Sequence, residues 1–223
     1  MAERQTGPGG GRRTVSREKV LEAAVALADE AGSGVPSMRK LAARLGIEAM
    51  SLYHHFRSKD LILDGMVDSV FGEVELPRPG VDWRTGMRAR AGSMRDALNR
   101  HPWAVGLMDS RKNPGRATLR HHEAVIGGLR EGGFSIAGAA RAALIMDGYV
   151  YGFVLQEAAL PSGPGELEDV GESILDGLSA EEYPHLREMV ADRAFASGPD
   201  FAAEFAVGFD LVLEGLERHR DDW

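Results

Sequence analysis

The stretch "MRKLAARLGIEAMSLYHHFRSKD", Met38 to Asp60, gathers side chains suited to a polyanion and to base edges. Arg39, Arg57 and Lys59 supply cations, while Met50, Ser51, Tyr53 and His54 add a thioether, a hydroxyl, a phenol and an imidazole. Phosphates are held by cations and N–H groups, and base edges in the major groove are read by small polar groups and methyl contacts. On a helix turning ~100° per residue with Leu52 pointing inward, Phe56 falls ~40° from it and Met50 and His54 fall ~160° away. The outward face is then Met50, Ser51, Tyr53 and His54, on a helix narrow enough to enter a major groove.

Such a face needs helices to hold it. Ser16 reads as an N-cap, with Val15 and Val20 at the spacing of a hydrophobic staple. Val20, Ala24, Leu27, Ala28 and Ala31 then recur at helical spacing up to Gly32. Ser37 starts a second, shorter helix with Met38, Leu41, Ala42 and Leu45 on one face, and Gly46 stops it. Leu52 and Phe56 form an i, i+4 pair on a third short helix, and Ala42 lets the second and third axes approach closely. Ser58 caps a fourth helix, with Asp60 in its first turn and an apolar stripe of Leu63, Met66, Val67, Val70, Phe71 and Val74. "LPRPG" ends it. The pattern stays helical over Trp83–Arg100, a short piece after His101–Pro102, Ala117–Glu131 and Ile136–Leu160. Pro161–Asp169 is loop-like in composition, and two helices follow, one around Glu181–Ala196 and a last one with Phe201, Phe205, Phe209, Val212 and Leu216 on one face. That last stripe suits the protomer core, a dimer interface, or both.

The chain has 223 residues, 43% of them hydrophobic and 27% charged, which allows a small domain plus a larger one. Its net charge is −8, but residues 11–60 carry nine Arg/Lys against six acids and residues 61–223 carry 16 against 27. A positive end on a negative body suits contact with a polyanion at one end only. No apolar run reaches the ~18 residues of a membrane span. Residues 1–14 lack the apolar centre of a secretory signal and read as a flexible basic arm. The absence of cysteine excludes disulfides and thiolate chemistry and fits a reducing cytoplasm. No HExxH, GxSxG or phosphate-loop motif occurs in its structural context. An α-helical enzyme would need a buried acid/base pair, for which the sequence offers only scattered candidates such as His101 and Glu157, so no enzymatic activity is expected.

The run "KLAARLGIEAMSLYHHFRSKDLILDGMVD" resembles the DNA-binding signature of the tetracycline-repressor (TetR) family of bacterial regulators, with Leu52, Tyr53, His55, Phe56 and Lys59 on its motif positions. "LREGGFSIAGAARAALIMDGYVYGFVLQEA", Leu129 to Ala158, resembles the ligand domain of the tetracycline-repressor branch. The resemblance implies an all-α homodimer: a helix-turn-helix domain over 15–74, including a linking fourth helix, and a ligand-binding and dimerisation domain over 75–223. It implies that Ser37 and Arg39 touch phosphate or a base, that Ala49, Met50, Ser51, Tyr53, His54 and His55 occupy the groove or its walls, and that Lys59 holds a phosphate. The implied partners are a double-stranded operator and a small-molecule effector that releases the repressor; the alternative is a DNA-binding regulator that works without an effector. Ala49 and Met50 depart from the more polar pair of the tetracycline repressor, so a different operator is expected.

The same alignment places Met108 at the family's metal-binding histidine and Gln156 at its dimer-facing glutamate. Magnesium prefers hard oxygen ligands, so no metal, no cofactor and no tetracycline chelate is expected. Large adaptable side chains, among them Trp103, Met108, Met146, Tyr149 and Tyr151, concentrate in the middle helices. They suit either core packing or a cavity for an apolar or aromatic effector, with Gln156 or a Tyr hydroxyl to orient it. His121 and His122 diverge by ~100° on a helix and read as a solvated or half-buried pair. The acids Glu166, Glu168, Asp169, Glu172 and Asp176 read as facing water.

Overall fold

The computed structural model describes residues 15–32, 34–108, 110–160, 166–195 and 200–223. Residues 1–14, read as a basic arm, and 161–165 of the expected loop lie outside them. Among the described residues there are ten α-helices, two short 3₁₀ turns and no strand. The helices are α1 (Arg17–Ala31), α2 (Met38–Leu45), α3 (Ala49–His55), α4 (Lys59–Glu73), α5 (Trp83–Arg100), α6 (Arg116–Glu131), α7 (Ile136–Ala158), α8 (Glu166–Gly177), α9 (Pro184–Phe195) and α10 (Phe201–Arg218).

Local chemistry sets the first boundaries. The hydroxyls of Ser16, Ser37 and Ser58 accept the backbone N–H groups of Lys19, Lys40 and Leu61, satisfying donors a helix start leaves orphaned. Gly46 ends α2 in the left-handed region at φ 66°, ψ 34°, where a side chain would be strained. Val20, Ala24, Ala28, Leu41, Ala42, Leu52 and Phe56 are buried together, so α1, α2 and α3 close a small core. Phe56 reaches it from outside the expected helix: it is the extended C-cap of α3, at φ −135°, ψ 115°.

α4 joins this head to the rest, packing on α1 and also on α5 and α6. The Asp68 carboxylate of α4 accepts the Thr118 backbone N–H at 2.8 Å and the Thr118 hydroxyl at 2.9 Å. It therefore caps the start of α6 from a neighbouring helix, where a negative charge complements the helix dipole. Gly115 makes room for it, since a Cβ there would lie 2.2 Å from the Asp68 carboxyl carbon.

α5, α6, α7 and α10 pack on one another in the larger part. Phe205, Phe209, Leu213 and Leu216 of α10 are buried, so the phenylalanine stripe belongs to the protomer core, with Leu213 joining it. A separate apolar face remains open on α7 and α10, where Leu144, Ile145, Leu155, Val207 and Leu211 are exposed. The 161–169 loop reading is corrected in part, because a helix, α8, begins at Glu166 and three helices follow instead of two. The described acids Asp169, Glu172 and Asp176 do face water.

Candidate nucleic-acid interface and effector domain

The reading face is built from two buried anchors and a clamp. Leu52 is 0% and Phe56 1% exposed, while Met50 on the opposite side is 70% exposed. Tyr53 and His54 are exposed beside it, Ser51 and His55 are half-buried, and Ala49 packs partly on the core. Arg17 of α1 donates to the His55 carbonyl at 2.5 Å and lies over the Phe56 ring at 4.1 Å. It thus satisfies an orphan carbonyl at the end of α3 and fixes the helix against α1. Arg39, Lys40, Arg57 and Lys59 are exposed around this edge. Ser37 spends its oxygen on the α2 cap, and its O–H remains able to donate. The nine residues read as a DNA surface therefore share the α2–α3 edge and the start of α4.

The six residues read as effector-lining are not brought together. Trp103 is buried and donates its indole N–H to Asp29 at 2.7 Å, which ties the second part of the chain to α1. Met146 is fully buried with Met87 and Met94. Tyr149 donates to the Phe205 carbonyl at 3.0 Å and packs among Phe153, Phe205 and Phe209. Tyr151 is half-buried against the core. Met108 borders a cavity of ≈ 210 Å³ with Asp64, Arg111 and His122, whereas Gln156 borders another, of ≈ 240 Å³, with Phe153 and Phe201. The Met and aromatic concentration is thus mostly core, and the two cavities lie at its edges.

Two polar clusters escaped the sequence reading. Arg90 of α5 is 1% exposed and pairs with Asp147 of α7, while its Nε and Nη2 donate to His121 Nε2 of α6 at 3.2 and 2.9 Å. One buried guanidinium therefore joins three helices. His121 is fully buried, which corrects the solvated or half-buried reading; only His122 is exposed. Burial first, then the positive charges of Arg90 and His122, lower the His121 pKa to about 3. The ring is neutral when folded, with its proton on Nδ1 because Nε2 accepts. The unfolded chain binds a proton near the ordinary value of about 6.5 and the folded one does not, so stability falls as pH drops from about 6.5 towards 3, at about 1.4 kcal/mol per unit. Urea unfolding at pH 7.5 and pH 5 is expected to show this loss, and His121→Leu to remove most of that slope.

The second cluster joins the two parts of the chain. His101 faces Asp29 of α1 through Nδ1 at 2.7 Å and Glu73 of α4 through Nε2 at 3.1 Å. Glu157, the other acid/base candidate, receives Arg95 and Asn99. Both groups bridge separate elements through polar contacts, and they do not meet as an acid/base pair.

A helix-turn-helix head carried on a larger all-α domain defines the class. Residues 20–66 match the family model of bacterial regulatory proteins of the tetR family, and residues 76–220 match the tetracyclin repressor-like C-terminal domain. An HTH-type transcriptional regulator of Saccharopolyspora erythraea is 35% identical over 207 residues, spanning 91% of this chain and 84% of the relative. The class A tetracycline repressor of Escherichia coli is 32% identical over 204 residues, spanning 90% of each. The structure of Streptomyces coelicolor ActR with actinorhodin superposes with a TM-score of 0.77 at 25% identity, covering 92% of this chain and 98% of ActR. The chain belongs to the tetR family of bacterial regulatory proteins. It is a DNA-binding transcriptional regulator and not an enzyme. No helix among the described residues is long and apolar enough to cross a membrane.

Proposed function

We propose that the protein is a repressor which binds a palindromic operator as a homodimer and leaves it when a small apolar or aromatic effector binds. The observation that carries this reading is the exposed Met50–Tyr53–His54 edge of α3, opposite buried Leu52 and Phe56. Met50, Ser51, Tyr53 and His54 meet base edges, Ala49 and His55 line the groove walls, and Ser37, Arg39 and Lys59 meet phosphates. The exposed face of α7 and α10 supports the dimer contact, because apolar area of this kind is removed from water by pairing with a second copy. Two recognition helices then meet half-sites ~34–36 Å apart, one turn of DNA. An effector moves α4 against α6 and disturbs that spacing, acting only through its different affinities for the two states, by about 1–3 kcal/mol.

Related proteins support a polycyclic effector: ActR binds actinorhodin, and the Escherichia coli relative is named for tetracycline. A magnesium–tetracycline chelate fits this chain poorly, with Met108 and Gln156 at its ligand positions. We place the protein in the cytoplasm, where a bacterial regulator meets its DNA. A gel-shift titration against the DNA flanking its own gene, repeated with polycyclic aromatic compounds, tests the reading. Retarded DNA that a compound releases is expected; no retardation of any flanking fragment would refute it. Lys59→Ala is expected to weaken operator and random DNA alike and to lower the salt slope by about one unit, read by fluorescence anisotropy at several salt concentrations.

A further inference from the structure

Between the end of α4, the Leu76–Gly80 linker and one face of α6 lies an open groove of ≈ 610 Å³, inside the range of about 300–1,000 Å³ common for small-molecule sites. Leu76, Pro77, Pro79 and Ala124 give it an apolar floor. Gly128 lets that floor form, since a Cβ there would meet Met87 Cε at 3.1 Å and Pro77 Cβ at 3.4 Å. Glu75, Glu123 and Glu131 surround the floor against a single cation, Arg78. Arg78 is held by Glu75 at 3.2 Å, and Glu131 accepts the Gly80 N–H at 3.3 Å. Glu123 has no hydrogen-bond or ion-pair partner among the described residues.

We propose that this groove binds a lipophilic organic cation, its hydrocarbon body on the proline floor and its positive charge beside Glu123 and Glu131. The proposal rests on the effector reading above and narrows it. Apolar area supplies attraction without regard to sign, whereas the carboxylates favour cations and repel anions of the same shape. A ligand seated there touches Glu75, just past α4, and the helix α6 whose start Asp68 of α4 caps. Occupancy bears directly on the helix that carries the reading head.

Calorimetric titration of the full chain, without DNA and at low salt so that exposed charges are little screened, uses two probes of one shape: tetraphenylphosphonium and tetraphenylborate. The cation is expected to bind and the borate to bind at least about tenfold more weakly, a sign preference set by the carboxylates. Glu123→Gln with Glu131→Gln keeps the contact to Gly80 and is expected to weaken the cation by about tenfold. Gly127 lines the groove and a Cβ there meets nothing within 4 Å, so Gly127→Leu fills the groove on an intact helix, checked by circular dichroism, and is expected to abolish binding. Equal binding of both ions, or cation binding untouched by Gly127→Leu, would overturn the proposal. So would a Gly127→Leu protein that has lost its dimer in sedimentation, which would make the groove a contact between copies. A wild-type protein that binds the cation yet keeps its operator upholds the groove and refutes its effector role.

Discussion

Arg90→Ala destabilises the larger domain by about 3–5 kcal/mol, the usual loss when one partner of a buried ion pair is removed. The alanine leaves Asp147 without its cation and His121 Nε2 without its two donors, deep among α5, α6 and α7. At about 2–4 °C per kcal/mol for a chain of this size, the thermal midpoint drops by about 6–20 °C. Differential scanning calorimetry measures it. Replacing the pair together, Arg90→Met with Asp147→Leu, is expected to recover part of the loss, because an apolar pair of similar volume carries no desolvation cost while His121 Nε2 still lacks its donors. A single variant within about 1 kcal/mol of wild type would show that the cluster is solvated and not the joint proposed for it.

The second large effect falls on the head. Leu52 is fully buried and is the one inward anchor within the seven-residue α3. Leu52→Ala removes its packing in the buried cluster that α3 shares with α2 and leaves a cavity, at about 2–5 kcal/mol. A core as small as that of α1–α3 has little to spare. Operator binding is expected to vanish in a gel shift while the dimer, proposed above to pair through α7 and α10, persists in sedimentation. Loss of the dimer together with DNA binding would mean that head and body unfold as one unit.

The difference between what could and could not be read in the sequence follows from how far each interaction reaches. Ser16, Ser37, Ser58 and Gly46 act within three or four residues, so the first four helices were legible from local chemistry alone, and so was the outward face of α3. The i, i+4 spacing of Leu52 and Phe56 places both in the core, as found, but does not reveal that Phe56 sits on the extended cap beyond the helix. α8 was hidden by the Gly- and Pro-rich stretch before it, although Glu166, Glu168 and Asp169 are acids of the kind a helix start favours. The Arg90 cluster draws on three helices. A trace of it was present, because Arg90 interrupts the apolar spacing Trp83, Met87, Met94, Ala97 and His121 interrupts Thr118, Val125, Leu129. A charge inside an apolar stripe marks a buried pair, but the partner's identity depends on packing. The scatter of Trp103, Met108, Met146, Tyr149, Tyr151 and Gln156 has the same cause: composition tells that large side chains are present, not which of them face a void.

Equilibrium affinities of wild type and of Met50→Ala with His54→Ala, measured at one salt concentration on the operator, on its single-base-pair variants and on random DNA, test most directly whether the α3 edge reads sequence. The wild type should discriminate within each half-site by about 1–3 kcal/mol per base pair, and the double variant should lose that preference at a few positions while keeping its affinity for random DNA. An equal loss on operator and random DNA, with the ranking of variants unchanged, would contradict the role assigned to Met50 and His54.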